Sequence, residues 1–343
     1  MRLVTIRPVV GDWATGAAHR PAAVLASGRL LPLGALVDVS GTGLPDGIGQ
    51  LDLAAVLEAD PGLGAIREAF AAADPDALEA ASLAPSSVRL LAPIPRPGKI
   101  IGVGYNYLDH IREQGLERPV RPVLFSMFAN AVAADGDPIR HPAGTHALDL
   151  EAEMAVIIGR RASHVAAADA LQHVAGYTTA NDVTARDWQG QARALRPGEK
   201  GDGQWLRAKG SDTFLPLGPV MVTADELGDG HGLTVRSWRT AAAGPDAGQP
   251  FQMQDGNTSD LLFSVAELIA IISAEVTLDP GDVIVTGTPS GVGVFREPQI
   301  FLEPGDLVRV EVERIGSLTS PVTDADGRAP DGSPAARFMA GNR

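Results

Sequence analysis

Between residues 148 and 158 the chain reads Leu-Asp-Leu-Glu-Ala-Glu-Met-Ala-Val-Ile-Ile, acidic residues at alternate positions running into an unbroken apolar stretch. Alternation at period two is the signature of a strand, so Leu148, Leu150, Ala152, Met154 and Val156 share one face. Asp149, Glu151 and Glu153 share the other, which turns apolar at Ala155 and Ile157. The apolar run directs this strand into a core, and carboxylates on one face repel unless a counter-charge lies among them. A divalent cation supplies that charge, and hard oxygen donors select magnesium, manganese or calcium. A solvated acidic edge strand is the competing reading, because exposed carboxylates are ordinary.

The rest of the composition narrows the chemistry. The 343 residues contain no cysteine, which removes disulfides, thiolate nucleophiles and cysteine metal sites together. Forty-two acidic against 28 basic residues give a formal charge of -14, so nucleic acid and anionic membrane are excluded as expected partners. An anionic substrate then needs its own cationic pocket or a metal. The start has no apolar run before Gly11 and Asp12 of the kind a signal peptide carries. No segment approaches the roughly 18 apolar residues of a membrane span. A soluble, cytoplasmic protein is expected. A hydrophobic share of 45% fills a sizeable core, and 39 glycines with 26 prolines, scattered without period, imply many turns.

Three prolines within Pro93 to Pro97 predict a stiff extended link and a domain boundary near residue 95. A proline-rich loop inside one domain is the alternative. The division expected is a small α+β N-terminal domain over 1–95, a catalytic domain over 96–325 and a flexible C-terminal tail over 326–343. In the first part, short apolar runs at 4–10, 22–25 and 30–37 read as strands, and 51–57 and 63–78 as helices. Beyond the link, strands are expected at 99–104, 148–158, 218–223, 283–286 and 307–315. Two of them follow matching Pro-Gly turns, Leu278 to Asp282 and Leu302 to Asp306. Helices are expected at 164–174 and at 265–274, the second opened by a capping box of Ser264 and Glu267. The fold class is therefore mostly β with some α. No third glycine follows Gly102-Val-Gly104, so a nucleotide cofactor is not expected.

Further candidates complete a site. Asp182, beside Arg186, is a possible third metal ligand, with a turn cap as its bland role. His110 and Glu113, three apart on one helical turn, match a carboxylate that orients a basic imidazole, though such a pair also decorates surface helices. Lys209 sits in a loop before the 218–223 strand. Residues 286–293, Thr-Gly-Thr-Pro-Ser-Gly-Val-Gly, form a loop whose amides and hydroxyls suit a carboxylate. Structural turns remain the alternative for both.

These segments, taken in order, resemble the fumarylacetoacetate hydrolase family. The resemblance rests on Gly102-Val-Gly-Tyr-Asn-Tyr-Leu-Asp-His110, Asp149-Leu-Glu-Ala-Glu153, residues 176–189, Lys209-Gly-Ser-Asp-Thr-Phe214, Gln254-Asp-Gly-Asn-Thr-Ser-Asp260 and residues 285–293, and covers about 98–322. It implies a β-roll or partly open barrel behind a small N-terminal domain, a homodimer, and Mg2+ with Mn2+ as the alternative. It also implies Glu151, Glu153 and Asp182 as metal ligands, and His110 with Glu113 as a dyad on a mobile segment. Lys209 is implied as the cationic catalytic partner, and Tyr105, Arg186, Gln189 and Thr288 as substrate-binding positions.

The function so implied is hydrolytic C–C cleavage of a β-diketo acid such as an acylpyruvate, with His110 activating water. An isomerase or decarboxylase of a 2-oxo or 2-hydroxy-dienoic acid is the nearest alternative, and a noncatalytic binding protein is the alternative of another class. One departure stands out: Met127 occupies a position where relatives commonly carry lysine. It implies either a less charged substrate tail or plain packing.

Overall fold

The acidic strand forms in two pieces, Leu148–Asp149 and Ala152–Ile158, and the break falls at Leu150 and Glu151. Side-chain amides take over the ladder there: Asn181 Oδ1 accepts from the Glu151 amide at 2.9 Å and Gln254 Oε1 from the Ala152 amide at 2.9 Å. The two faces nevertheless alternate as the sequence requires. Met154 and Val156 pack with Val235, Val310 and Val312, whereas Ala155 and Ile157 pack with Leu53, Val56, Leu57 and Ile66. Both faces of the strand are thus covered, which is why its sequence becomes continuously apolar.

The computed structural model describes residues 1–9, 19–41, 44–45, 47–201 and 203–342. Val10, which ends the first expected strand, lies outside them, as do Gly11 and Asp12. An eleven-stranded sheet runs in the order Leu30–Pro32, Arg20–Val24, Arg2–Pro8, Leu215–Thr223, Val174–Asn181, Ala152–Ile158, Val283–Val285, Ile100–Gly104 and Val123–Met127. Val88–Leu91 and Val132–Ala133 pair off this path. A five-stranded sheet, Pro250–Asn257, Thr234–Thr240, Leu307–Val312, Gly316–Thr323 and Ile139–Arg140, packs across its centre. Neither sheet closes on itself, and the architecture is mostly β with short helices. Arg2–Pro8 pairs antiparallel with Leu215–Thr223, so N-terminal residues share the large sheet with the later body.

Several local expectations change for identifiable reasons. The helix expected over 164–174 is reduced to a single 3-10 turn, Ala170–His173. Ser273 at the end of the neighbouring helix takes the His164 amide on its carbonyl and the Val165 amide on its hydroxyl. The run 30–37 is a strand only to Pro32, and Leu33–Ser40 is helical, burying Leu33 and Leu36. The helix expected over 63–78 divides into Gly64–Ala72 and Pro75–Ala80, because Asp74 caps the second at Asp76 and Ala77 and Pro75 occupies its first turn. Val265–Ser273 forms with the Ser264–Glu267 capping box in place. Residues 334–341 of the expected tail form a helix, Pro334–Gly341, capped by Ser333 and burying Ala335. Among the described residues no helix is long and apolar enough to cross a membrane.

Strand direction brings the chemistry to one end of the large sheet. Ala152–Ile158 runs antiparallel to Val174–Asn181 and Val283–Val285, and Val283–Val285 runs parallel to Ile100–Gly104. The start of the first strand therefore lies beside the ends of the other three, from which Asp182, the 286–294 loop and the 105–113 segment emerge. Ile157 is fully buried at the centre of this arrangement. Ile157→Ala is expected to cost about 2–5 kcal/mol in urea unfolding, and a loss below about 1 kcal/mol would contradict the two-sided packing.

Candidate active site

Glu151, Glu153 and Asp182 place one carboxylate oxygen each within 4.8 Å of one another, and all three are buried. This removes the reading of a solvated acidic edge. Lys209 Nζ donates to Glu151 Oε2 at 2.7 Å and to Asp182 Oδ2 at 2.6 Å. Arg186 Nη1 lies 2.7 Å from Glu151 Oε1, and its Nε donates to Asp149 Oδ2 at 2.9 Å. Four buried carboxylates, counting Asp149, thus face two buried cations.

The imbalance shows in the acidities. Burial alone raises the Glu151 carboxyl, but Lys209 and Arg186 outweigh it and hold the group at about 2. Asp182 is pushed up to about 7 by burial, against the pull of Lys209. Glu153 has no direct cation; burial, then Asp182 and Glu151, raise it well above the carboxylate range. Burial disfavours the charged form of Lys209, yet Asp182 and Glu151 keep its acidity below that of a free lysine, so it remains protonated. Asp182 Oδ1 is buried without a hydrogen-bond partner. Three hard oxygen donors, an orphaned acceptor and an excess of negative charge fit a divalent cation.

The loop expected to hold a carboxylate does so, and the carboxylates are the chain's own. The Gly287 amide donates to Glu153 Oε2 at 2.6 Å, and the Gly291 amide to Glu113 Oε1 at 2.9 Å. Ser290 gives its amide at 3.1 Å and its hydroxyl at 2.7 Å to Asp109 Oδ2. The Gly293 and Val294 amides go to Asp149 at 2.8 and 3.0 Å. Glycine is required at 291, where φ is +103° and a Cβ would lie 2.2 Å from the Met253 carbonyl oxygen.

Leu108–Glu113 is helical and turns His110 toward the triad. His110 Nδ1 and Glu113 Oε2 are 2.9 Å apart, and the imidazole meets the Phe295 ring edge-on at 5.8 Å between centroids. With Glu113 accepting from Nδ1–H, Nε2 is the basic nitrogen left to face the cleft. That cleft, about 420 Å³ with its mouth included, is lined by every expected site residue except Glu113, which stands behind His110. Thr288 contributes less freely than expected, since its hydroxyl donates to the Ala152 carbonyl at 2.9 Å and accepts from Gln254 at 2.7 Å. Gln189 Oε1 is 3.4 Å from Arg186 Nη1, and Tyr105 sits at φ +57°, a conformation rare for a tyrosine. Met127 is buried in the core against the N-terminal helices and does not line the cleft.

Other contacts of the site leave no trace in spacing. Asp149 shares the acidic face of its strand, but its pairing with Arg186 is set by the fold, as is that of Asp109 with Ser290. Asn106 donates to the Phe263 and Thr286 carbonyls and accepts from the Phe263 amide, fixing the start of the His110 segment. Phe125 and Trp205, with ring centroids 5.2 Å apart, form an apolar wall that no periodicity announced.

Comparison with known proteins follows the same lines. The fumarylacetoacetate (FAA) hydrolase C-terminal family matches residues 99–323. Oxaloacetate tautomerase fahd2, mitochondrial, of Xenopus laevis is 41% identical over 291 residues, 82% of this chain and 85% of that protein. The structure of 5-carboxymethyl-2-hydroxymuconate delta-isomerase from Mycobacterium smegmatis is 33% identical with a TM-score of 0.65, over 94% of this chain and 99% of that one. Fumarylacetoacetate hydrolase (EaFAH) from psychrophilic Exiguobacterium antarcticum is 30% identical with a TM-score of 0.71, over 94% and 99%. With the family matching well over half its length at the segments that build the cleft, the chain belongs to the fumarylacetoacetate hydrolase family of enzymes.

Proposed function

We propose that this protein is a divalent-cation-dependent tautomerase of small 2-oxo acids, of which oxaloacetate is the representative substrate. The observation that carries the reading is buried His110, bonded to half-buried Glu113 and facing, in one cleft, a triad of hard oxygen donors. Keto–enol interconversion needs a base at the carbon next to the carbonyl and a means of stabilising charge on the carbonyl oxygen. Those two requirements match these two groups. The Xenopus laevis relative carries the tautomerase name, and the Mycobacterium smegmatis structure that of an isomerase.

Glu151, Glu153 and Asp182 are the residues to hold the cation, Mg2+ first and Mn2+ second. Bound there, it supplies Lewis acidity toward the 2-oxo acid oxygens. His110 Nε2 takes the proton from C3 while the C–H electrons become the C2–C3 double bond, and Glu113 stabilises the imidazolium through Nδ1. The proton returns to the enolate oxygen to give the enol. Lys209 and Arg186 hold the triad's negative charge in place and favour the developing oxyanion, with Tyr105, Gln189 and Thr288 at the rim for substrate orientation. The working unit in this reading is a homodimer.

Hydrolysis of an acylpyruvate is the second reading. The likeness to EaFAH favours it, and it calls on the same base to activate water. The readings separate on products: tautomerisation releases nothing, whereas hydrolysis yields pyruvate and a carboxylic acid.

With Mg2+, the enol form of oxaloacetate should lose its ultraviolet absorbance faster than in buffer, and a chelator should abolish the acceleration. His110→Gln should slow it about 10²–10⁴-fold with cation affinity retained in calorimetry. Full activity of that variant would sink the assignment, and release of pyruvate from acetylpyruvate at a comparable rate would move the protein to the hydrolase reading.

Asp182 also imposes a pH signature. Its folded acidity, about 7, lies above the reference 3.8, so between these values the folded chain holds a proton that the unfolded chain has released. Stability from this group is therefore lost as pH rises through that window. Glu151, shifted down to about 2, acts in the opposite sense and only at lower pH. In chelator, raising pH from about 5 to about 8 should lower the melting temperature of the wild type more than that of Asp182→Asn. Parallel curves would show that Asp182 carries no such penalty.

A further inference from the structure

The segment bearing His110 is short and weakly self-supporting. Leu108–Glu113 is six residues long, its N-cap Tyr107 makes no side-chain cap, and no helix or strand covers residues 114–122. A helix of this length does not persist in water without tertiary support. Its near end is fixed by Asn106. Two carboxylates tie it to the same loop at consecutive residues, Asp109 in the first turn to Ser290 and Glu113 at the last residue to Gly291. Glu113 is already committed to His110 through its other oxygen. The hydrogen bonds of Asp109 go to backbone and Ser290, its second oxygen accepting the His110 amide at 2.7 Å.

We propose that Asp109 is a positioning residue: bonded to Ser290, it latches the His110 helix onto the 286–294 loop and so sets where the imidazole stands over the triad. The inference rests on the reading of His110 as the base. A carboxylate that accepts three donors, two of them from one serine, fixes both distance and rotation of the turn. The loop that receives the latch also donates the Gly287 amide to Glu153, so base and triad are indexed to a common piece of backbone. Neither Asp109 nor Ser290 lines the cleft, so a change at either acts on substrate through the helix and loop that the pair joins.

The test uses the 343-residue chain loaded with Mg2+ and the enol of oxaloacetate, with Ser290→Ala, Ser290→Thr, Asp109→Ala and His110→Gln. Ser290→Ala and Asp109→Ala should lower kcat about 10- to 100-fold, as expected for a charged hydrogen bond lost from a positioning element, with KM changed far less. Amide hydrogen exchange across 107–115 should accelerate in both while Ala152–Ile158 stays protected. Ser290→Thr, which keeps the hydroxyl, should restore kcat and protection. If Asp109→Ala fails to fold, the Ser290 pair carries the test alone. Wild-type kcat and exchange in Ser290→Ala, with His110→Gln inactive, would overturn the latch and leave the base standing. Full activity in His110→Gln would overturn the reading beneath it.

Discussion

Carboxylates do not go into a protein interior without hydrogen-bond donors or charge to receive them, and around the cleft one loop receives four of the six acids. Between Gly287 and Val294, backbone amides and one hydroxyl bind Glu153, Asp109, Glu113 and Asp149. Each of those acids governs a different part of the cleft. Glu153 belongs to the triad, Glu113 orients His110, Asp109 steadies the helix, and Asp149 holds Arg186. The glycines are what let the loop turn this many donors inward, since at Gly287, Gly291 and Gly293 a Cβ would strike neighbouring atoms within 3 Å. The cleft is in this sense one loop's hydrogen-bond inventory, distributed over four acids.

The two cations play a different part. Arg186 bridges Asp149 and Glu151 by its guanidinium fork, which fixes geometry as well as charge, while Lys209 places a single ammonium between Glu151 and Asp182. Glu153 is left to the amide alone. The electrostatics are therefore graded across some few ångströms, from a carboxylate firmly ionised at Glu151 to one that resists ionisation at Glu153. A group that adds positive charge to such a cluster gains most where the gradient is least compensated.

Much of this was legible in the sequence, and the limits have physical causes. The alternation at 148–158 specified which side chains share a face, and both cores obey it even though the strand breaks at Glu151. Spacing alone paired His110 with Glu113, because neighbours three apart on a turn must meet. The capping box at Ser264 was readable for the same reason, being a local bond. What escaped was settled by distant partners. The 164–174 segment lost its helix to Ser273, more than a hundred positions along, and Phe125 meets Trp205 across 80. Asp109 could not be separated from an ordinary surface acid until Ser290 was seen opposite it. Cation choice and reaction type lie further still, since they depend on a cleft whose lining is gathered from residues as far apart as Val103 and Thr288.

That assembly bears on how the chain comes to be folded at all. Val283–Val285 pairs with Ile100–Gly104 across more than 180 positions, and the amides that quiet the buried acids arrive with the segment just after it. Until then Glu153 has no donor of its own, although Arg186 and Lys209 already lie in the chain to meet Asp149 and Glu151. The amide donors to Glu153 and Asp149 are therefore complete only once residue 294 has been made. Bringing them to the strand closes a long loop, a non-local contact of the kind that slows folding. The loop that organises the mature cleft thus supplies its last donors late in the chain.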